Sequence, residues 1–371
     1  MTYVYVFMLS GLALATIFGI KGVENSHWYL LTVATLLAAG LYSSTYGISL
    51  RDAREHVKLI VKAITIGVFL KALIIGSVMT LVMKSPIGFM LGIIVAQIDP
   101  LSTTALMKGN RMSVRAQAIL RAWSSFDDPM TVIMSLYVPA AIALFTGVQL
   151  HQAQDGLQSF GLAGYLLETG VNLLFAGGIY TLWRLIKRHS KATNYFVVAL
   201  VGLGMYGLFI GALSIAVYYF WMLGIAVLGL VMRPPIDKAV TRAVSWALSI
   251  AAVLLGILLA GGVRIWLGVA LGLAAYVAQI MVGLLLTGKL PMRDRLHIAF
   301  AQQNGITAII LALLFEPRYP GMVAVVAPAI VAINTIHALA NHALDMYLAR
   351  DFVSLHPRHH LERLRTHVHK I

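Results

Sequence analysis

The sequence predicts an all-α polytopic membrane protein of about twelve transmembrane helices, folded as an inverted repeat with two interrupted crossover helices. Three observations predict it. Of 371 residues, 60% are hydrophobic and only 11% charged, where a soluble domain carries about a quarter charged residues. Apolar runs of about 20 residues recur along the whole length, each long enough to cross roughly 30 Å of hydrocarbon. Two of these runs carry polar side chains around a proline or glycine, which opens helical backbone where lipid cannot satisfy it.

The expected spans are 3–20, 28–48, 59–83, 87–107, 115–145, 161–183, 194–213, 215–232, 241–260, 263–286, 295–315 and 320–346. Val4 to Ile20 lacks a basic flank before it and a small-residue cleavage site after it, so it reads as a membrane helix and not as a cleavable signal peptide. The seventh and eighth spans have almost no loop between them. No Ser- or Pro-rich linker follows any span, so residues 1–349 form one membrane domain and 350–371 a short basic tail with five histidines. That tail reads as solvated. The absence of cysteine excludes disulfides and thiolate metal sites.

Lysine and arginine concentrate in alternate loops. The stretches around 51–62, 108–115, 184–191, 233–242, 289–295 and the tail hold twenty-two of them, and the opposite loops hold only Lys21, Lys84, Arg264 and Arg318. The basic side is expected to be cytoplasmic, and an even number of spans puts both termini there. The formal charge of +14 is therefore topology, and nucleic-acid binding is not expected.

Some charges fall where lipid should be: Lys71, Arg121, Asp99, Asp127, Asp128 and Glu168, with Asp345 nearer a helix end. Each costs at least about 2.5–3.5 kcal/mol at mid-bilayer, so each is expected to face a cavity or a partner. Glu168 is expected to pair with a neighbour, and Lys71 to bridge to one of the acids. In "IVAQIDPLSTTALMKG", Pro100 lacks an amide donor and pushes Asp99 from helical angles, with Gln97, Ser102, Thr103 and Thr104 around the break. Twenty-nine residues on, "AWSSFDDPM" puts Asp127 and Asp128 side by side on a helix running back across the membrane, where Pro129 is expected to loosen the backbone. Two adjacent carboxylates repel in low dielectric, so the pair can hold a proton near neutral pH and surrender it to an arriving cation. Arg121, two turns toward the cytoplasm, is placed to pair with a carboxylate or to shape an entry funnel.

The second half echoes the first. In "AQQNGITAII", Gln302, Gln303, Asn304 and Thr307 flank Gly305, a helix broken by glycine. The last span carries Asn334, His337, Asn341 and Asp345 as a polar stripe; His337 is expected to be a packing residue. Two halves with this order suggest an inverted repeat about a midplane site.

These residues resemble the monovalent cation/proton antiporter superfamily. The resemblance rests on "IDP" in one helix and "DDP" in the next, on "LYSSTYGISLRDAREH" before a charged loop, and on the glycine-containing "AFAQQNGITAII". It implies a mobile core of helices at about 59–145 and 263–346 with the rest as a dimerisation scaffold, working by an elevator movement. It makes Asp128 the ion-binding acid and Asp127 its variable neighbour, with Asp99 and Thr103 completing the site. Na⁺, or K⁺ or Li⁺, would bind at Asp128 and Asp127 and compete there with protons. Gln97, Ser102, Lys71, Arg121, Gln279, Asn304 and Glu168 are supporting candidates. The sequence departs from the family pattern at Gln279 and Asn304, which stand where relatives carry cations, and in having one span fewer than thirteen-span members.

The expected function is that of a secondary transporter in the plasma (inner) membrane. It is expected to be a homodimer driven by ion gradients, with no cofactor. Two other readings were weighed. A sensor that keeps the antiporter fold without turnover is made plausible by Gln279 and Asn304. An intramembrane aspartyl protease also uses two membrane acids, but it requires Gly-x-Gly-Asp and Tyr-Asp motifs, and neither occurs.

Overall fold

The computed structural model describes residues 2–47, 57–107, 112–146, 161–188, 195–233 and 237–355, all helix or short connection with no strand among them. In chain order the helices are α1 (Thr2–Phe18), α2 (His27–Tyr46), α3 (Val57–Lys62), α4 (Val68–Met83), α5 (Ile87–Val95), α6 (Pro100–Met107), α7 (Val114–Thr146) and α8 (Gly161–Arg188). They continue with α9 (Tyr195–Tyr218), α10 (Met222–Val231), α11 (Asp237–Leu259), α12 (Ile265–Leu286), α13 (Met292–Ala299), α14 (Ile306–Phe315) and α15 (Met322–Leu355). Each of the twelve expected segments holds helix. The tail from 356 and the inner-loop cations Arg51, Arg54, Lys108, Arg111 and Lys191 lie outside the described residues.

Among the described residues, five helical stretches are long and apolar enough to cross a membrane by themselves: 65–83, 200–218, 240–259, 265–286 and 322–348. Val4–Phe18, Met222–Val231 and Ile306–Phe315 are apolar but shorter, at 10–17 residues. Large apolar side chains point outward, among them Ile17 at 75% exposure, Leu81 at 78% and Trp266 at 85%. Such a surface suits hydrocarbon and not water. Buried positions hold the polar residues instead, including Lys71, Gln97, Asp127 and Gln302.

Small residues set the tightest packing. Gly88 and Gly92 lay α5 against the backbone of α4 at Met79 and Gly76, with no room for a Cβ. Close approach through small side chains drives helix association in lipid, where no hydrophobic effect acts between helices. One group of contacts joins α4, α5, α7, α12 and α15; another joins α1 to α11 and α2 to α10, with α8 and α9 alongside. Helix α2 touches both groups, packing on α7 and α14 as well as on α10 and α11.

Several boundaries differ from expectation: α8 runs to Arg188, beyond 183, and α15 to Leu355, beyond 346. Helix α9 runs to Tyr218, beyond the expected 213, and α10 keeps only ten residues. Phe220, in the left-handed region at φ 58°, makes the turn between them. The third segment also carries a π-helical stretch at Ala63–Gly67 between α3 and α4. A π turn inserts an extra residue and so rotates everything after it, including Lys71 one turn further on.

Candidate functional site

Two helices break and meet at their breaks. The first stops at Val95 and resumes at Pro100; the second stops at Ala299 and resumes at Ile306. Asp99 N donates to the Gln303 carbonyl across the gap at 2.9 Å. Backbone left open in this way needs partners from protein, and each break supplies them to the other or draws them from neighbours. Gln302 Nε2 donates to the Val95 and Gln97 carbonyls, both at 3.0 Å, and Asn304 Nδ2 reaches Val95 O at 3.2 Å. On the second break, the Phe300 carbonyl accepts from Tyr276 Oη at 3.2 Å and Asn341 Nδ2 at 2.9 Å. The Ile298 carbonyl accepts from Gln279 Nε2 at 3.0 Å. Asn334 holds the Asn304 backbone from both sides, accepting from its N–H at 3.3 Å and donating to its carbonyl at 3.2 Å.

The acids converge on this crossing. Asp127 Oδ2 accepts from Lys71 Nζ and from the Ile98 backbone N–H, each at 3.0 Å, and Lys71 and Asp127 are both 0% exposed. Lys71 Nζ also sits 5.3 Å from the ring centre of Trp123, one turn before Asp127 on α7. Asp128, 2% exposed, faces Ser44 of α2, Thr307 of α14 and the carboxyl of Asp99. Asp99 packs directly on Gly305, where any Cβ would overlap its carboxyl group. Thr103 Oγ1 donates to Pro100 O at 2.9 Å and lies 3.2 Å from Ser124 Oγ, joining the first break to α7. Asp127 Oδ1 and Asp128 Oδ1 are buried without a hydrogen-bond partner among the described residues. Buried acceptors left without a hydrogen bond suit a cation or a proton.

Pro129 does not loosen α7, which is helical throughout Val114–Thr146. Its missing amide frees the Ser125 carbonyl four residues back, and Ser44 Oγ donates to that carbonyl at 2.9 Å. The proline thus helps dock α2 beside Asp128 without ending the helix.

The structure therefore brings Asp128, Asp127, Asp99 and Thr103 together, with Lys71 on Asp127. Gln97 Nε2 turns back to Ile94 O at 3.2 Å, and its carbonyl receives Gln302. Gln279 and Asn304 serve backbone carbonyls and do not meet the acids. Ser102 lies on α6, and its side chain is outside the described residues. Arg121 is exposed and forms no ion pair among the described residues, because its position on α7 turns outward from the acids. Glu168, half-buried on α8, likewise has no ion-pair partner among them, so the expected pairing is absent. The stripe on α15 supports the second break, with His337 Nδ1 3.2 Å from Asn341 Nδ2. Ser44, Ser124 and Tyr276 were not foreseen; they lie on other helices, and no local pattern marks them. Asp294 was not foreseen either. It accepts from Ser113 N at 2.9 Å and Ser113 Oγ at 2.5 Å, tying α13 to the start of α7.

Two broken helices crossing at buried acids, inside a lipid-facing bundle, define a carrier-type integral membrane protein. The chain belongs to the sodium/hydrogen exchanger family: the family model described as "Sodium/hydrogen exchanger, transmembrane" matches residues 1–337. That places it among antiporters and not among enzymes. The K(+)/H(+) antiporter NhaP2 of Shewanella oneidensis is 29% identical over 119 residues, and that of Shewanella sp. strain ANA-3 is 28% identical over the same length. Each match takes in 32% of this chain and only 20% of the curated relative. The solved structure of the sodium proton antiporter MjNhaP1 from Methanocaldococcus jannaschii at pH 8 superposes with a TM-score of 0.59. It is 16% identical and covers 90% of this chain and 92% of its own. A second structure of that protein, from an electron-microscopy map, gives 0.59 at 17% identity over 94% of this chain and 91% of its own.

Proposed function

We propose that the protein exchanges a monovalent cation for protons across the membrane, with Asp128 as the principal carrier. The observation that carries this reading is the meeting of Asp128, Asp99 and Asp127 at two crossed helix breaks, with Asp127 Oδ1 and Asp128 Oδ1 buried and without a hydrogen-bond partner among the described residues. A partly dehydrated cation is held by Asp128 with help from Asp99, Thr307, Ser44 and carbonyls of the breaks, and protons compete for the same carboxylates. Na⁺ is the first candidate. The relatives' names include both a sodium proton antiporter and K(+)/H(+) antiporters, and K⁺ and Li⁺ belong in the same test.

The moving unit in this reading is the core of α3–α7 with α12–α15, which slides as an elevator against a scaffold of the remaining helices. The protein works as a homodimer in the plasma (inner) membrane, its basic loops and both termini in the cytoplasm. Ion gradients alone drive it, without a cofactor. Purified protein in proteoliposomes loaded with a pH-sensitive dye should move protons when an Na⁺ or K⁺ gradient is applied. No proton movement with Na⁺, K⁺ or Li⁺ at any pH tested would leave an antiporter fold that transports nothing and favour the sensor reading.

A further inference from the structure

We propose that a cavity on the face opposite the basic loops holds a phospholipid headgroup carrying a phosphate and a primary ammonium, and that this headgroup ties the scaffold to the core. The inference rests on the exchanger reading above for the moving core, and adds a lipid site that regulates it.

The loops opposite the basic side hold four cations, Lys21, Lys84, Arg264 and Arg318. Two of them, Lys21 and Arg264, line one cavity of about 570 Å³ together with Glu24 and Glu316. Its walls come from both groups of helices. Lys21 and Glu24 lie between α1 and α2, whereas Arg264 directly precedes α12 and Glu316 directly follows α14. Each side of the cavity thus offers one cation and one carboxylate. Lys21 and Arg264 are exposed and form no ion pair among the described residues. Glu316 accepts from Gly321 N at 2.7 Å and Val323 N at 2.6 Å. Arg264 N donates to Ala324 O at 2.9 Å, and its guanidinium lies over Gly321. Arg264 and Glu316 are therefore fixed to the same turn at the start of α15.

The lining selects the ligand. Phosphate oxygens suit the arginine fork and the lysine, but two carboxylates beside them would repel an anion with no positive charge of its own. A zwitterion with an ammonium that can donate to Glu24 and Glu316 matches all four groups. The level in the membrane favours a lipid over a free solute. Trp28 and Trp266, both exposed, stand four residues after Glu24 and two after Arg264, and tryptophan gathers at the membrane–water interface. Ile20, Leu258 and Val263 complete the cavity and give glycerol and the first methylenes an apolar wall.

Residues 260–264 join α11 of the scaffold to α12 of the core, so this short connection must take up any sliding between them. Gly262 at φ 128° and Gly321 at φ 95° make the sharp turns on the two sides of Arg264, in a region where side chains with a Cβ are strained. Sliding the core would part Arg264 and Glu316 from Lys21 and Glu24. A ligand held by all four binds one arrangement better than the other and shifts the balance toward it. Exchange should therefore slow when the cavity is filled.

The test uses full-length protein and two readouts. Native mass spectrometry counts retained lipid and needs no transport. Wild type should retain phosphatidylethanolamine in preference to phosphatidylcholine, whose quaternary ammonium has no N–H, and to phosphatidylglycerol, which has no ammonium. The double variant Lys21→Gln with Arg264→Gln changes two exposed side chains and should lose that retention by about tenfold or more, as expected when hydrogen bonds to charged groups are removed. In proteoliposomes, cation-driven proton movement should be slower in phosphatidylethanolamine than in phosphatidylcholine for wild type, and equal in both for the double variant. Equal retention of the three lipids by wild type, or a preference that survives in the double variant, would overturn the proposal. Slowing by soluble glycerophosphoethanolamine, with no retained lipid, would assign the cavity to a free phosphate–amine and overturn the lipid source. Selective retention in a wild type with no dye response to Na⁺, K⁺ or Li⁺ would uphold the lipid site and strike the exchanger reading instead.

Discussion

The break at 96–99 is ringed by carboxylates and a lysine, whereas the break at 300–305 is ringed by amides, a phenol and an imidazole. Both interrupt a helix in the same way, and both need donors for stranded carbonyls. The second break takes its donors from neutral side chains on α12 and α15, and its own Gln302 and Asn304 donate to the first. The first break gives almost no side-chain support in return and instead gathers Asp99, Asp127 and Asp128. In the reading proposed above, one half of the repeat holds the backbone open and the other half carries the charge. Neutral amides suit the first task because they satisfy carbonyls without adding charge to a region where each isolated charge is expensive.

Removing a group from the charged side should have the largest effect. Asp128→Asn deletes the proposed carrier and keeps the side chain's shape, so cation-driven proton movement should fall to background while the protein still folds and inserts. Undiminished dye response in that variant would place the carrier elsewhere. Gly305→Ala tests the junction between the two breaks. The added methyl would displace the Asp99 carboxyl. Inserting a methyl into a packed site costs about 1–3 kcal/mol, so apparent cation affinity should weaken by about tenfold or more. Wild-type affinity in Gly305→Ala would mean that Asp99 lies outside the cation's reach.

Competition sharpens the same contrast. If one carboxylate pair takes either a cation or a proton, each ligand must weaken the other equally. Protons occupy the site at low pH, so apparent cation affinity should rise with pH. The limiting slope is about tenfold per pH unit for one proton per site, levelling off once the site is deprotonated. A flat affinity from about pH 6 to 9 would contradict a shared site in a repelling carboxylate pair. Asn304→Ala, on the neutral side, should leave that slope intact while lowering thermal stability.

The charged half was largely legible in the sequence, since "IDP" and "DDP" bring acids and helix breaks into adjacent spans and lipid makes such residues conspicuous. The partner of Lys71 was not. Which of two neighbouring acids meets Lys71 depends on helix rotation, and the π turn at Ala63–Gly67 resets the rotation of α4 in a way no side-chain pattern announces. The neutral half was legible only as polarity. Gln302 donates to Val95 and Gln97, more than two hundred positions earlier, and Asn334 clamps Asn304 from another helix. These are pairings of ordinary amides with ordinary carbonyls, so the stripe Asn334, His337 and Asn341 could be seen without its purpose. Pro129 misled for a related reason: its effect is to free a carbonyl for Ser44, and the helix continues through it.

The smallest effect is expected at Gln279. The family resemblance puts a cation at this place in the tenth span, opposite the acid pair, whereas the structure has Gln279 fully buried and donating to the Ile298 carbonyl at 3.0 Å. Its own Oε1 has no hydrogen-bond partner among the described residues. Gln279→Leu would remove one donor from the second break, and a hydrogen bond between helices in lipid is worth about 0.6 kcal/mol on average and about 1.7 at most. It would also remove the unpartnered Oε1, which offsets part of that loss. A slightly lower melting temperature in detergent is therefore expected, with cation affinity and the cation-to-proton ratio both unchanged. Since Asp127 already pairs with Lys71 and Gln279 meets none of the acids, nothing about ion binding should pass through this position. A Gln279→Leu variant that keeps wild-type stability but changes affinity or ratio would show the tenth span taking part in ion binding. The separation between a charged break and a neutral one would then fail at the residue where it should be cleanest.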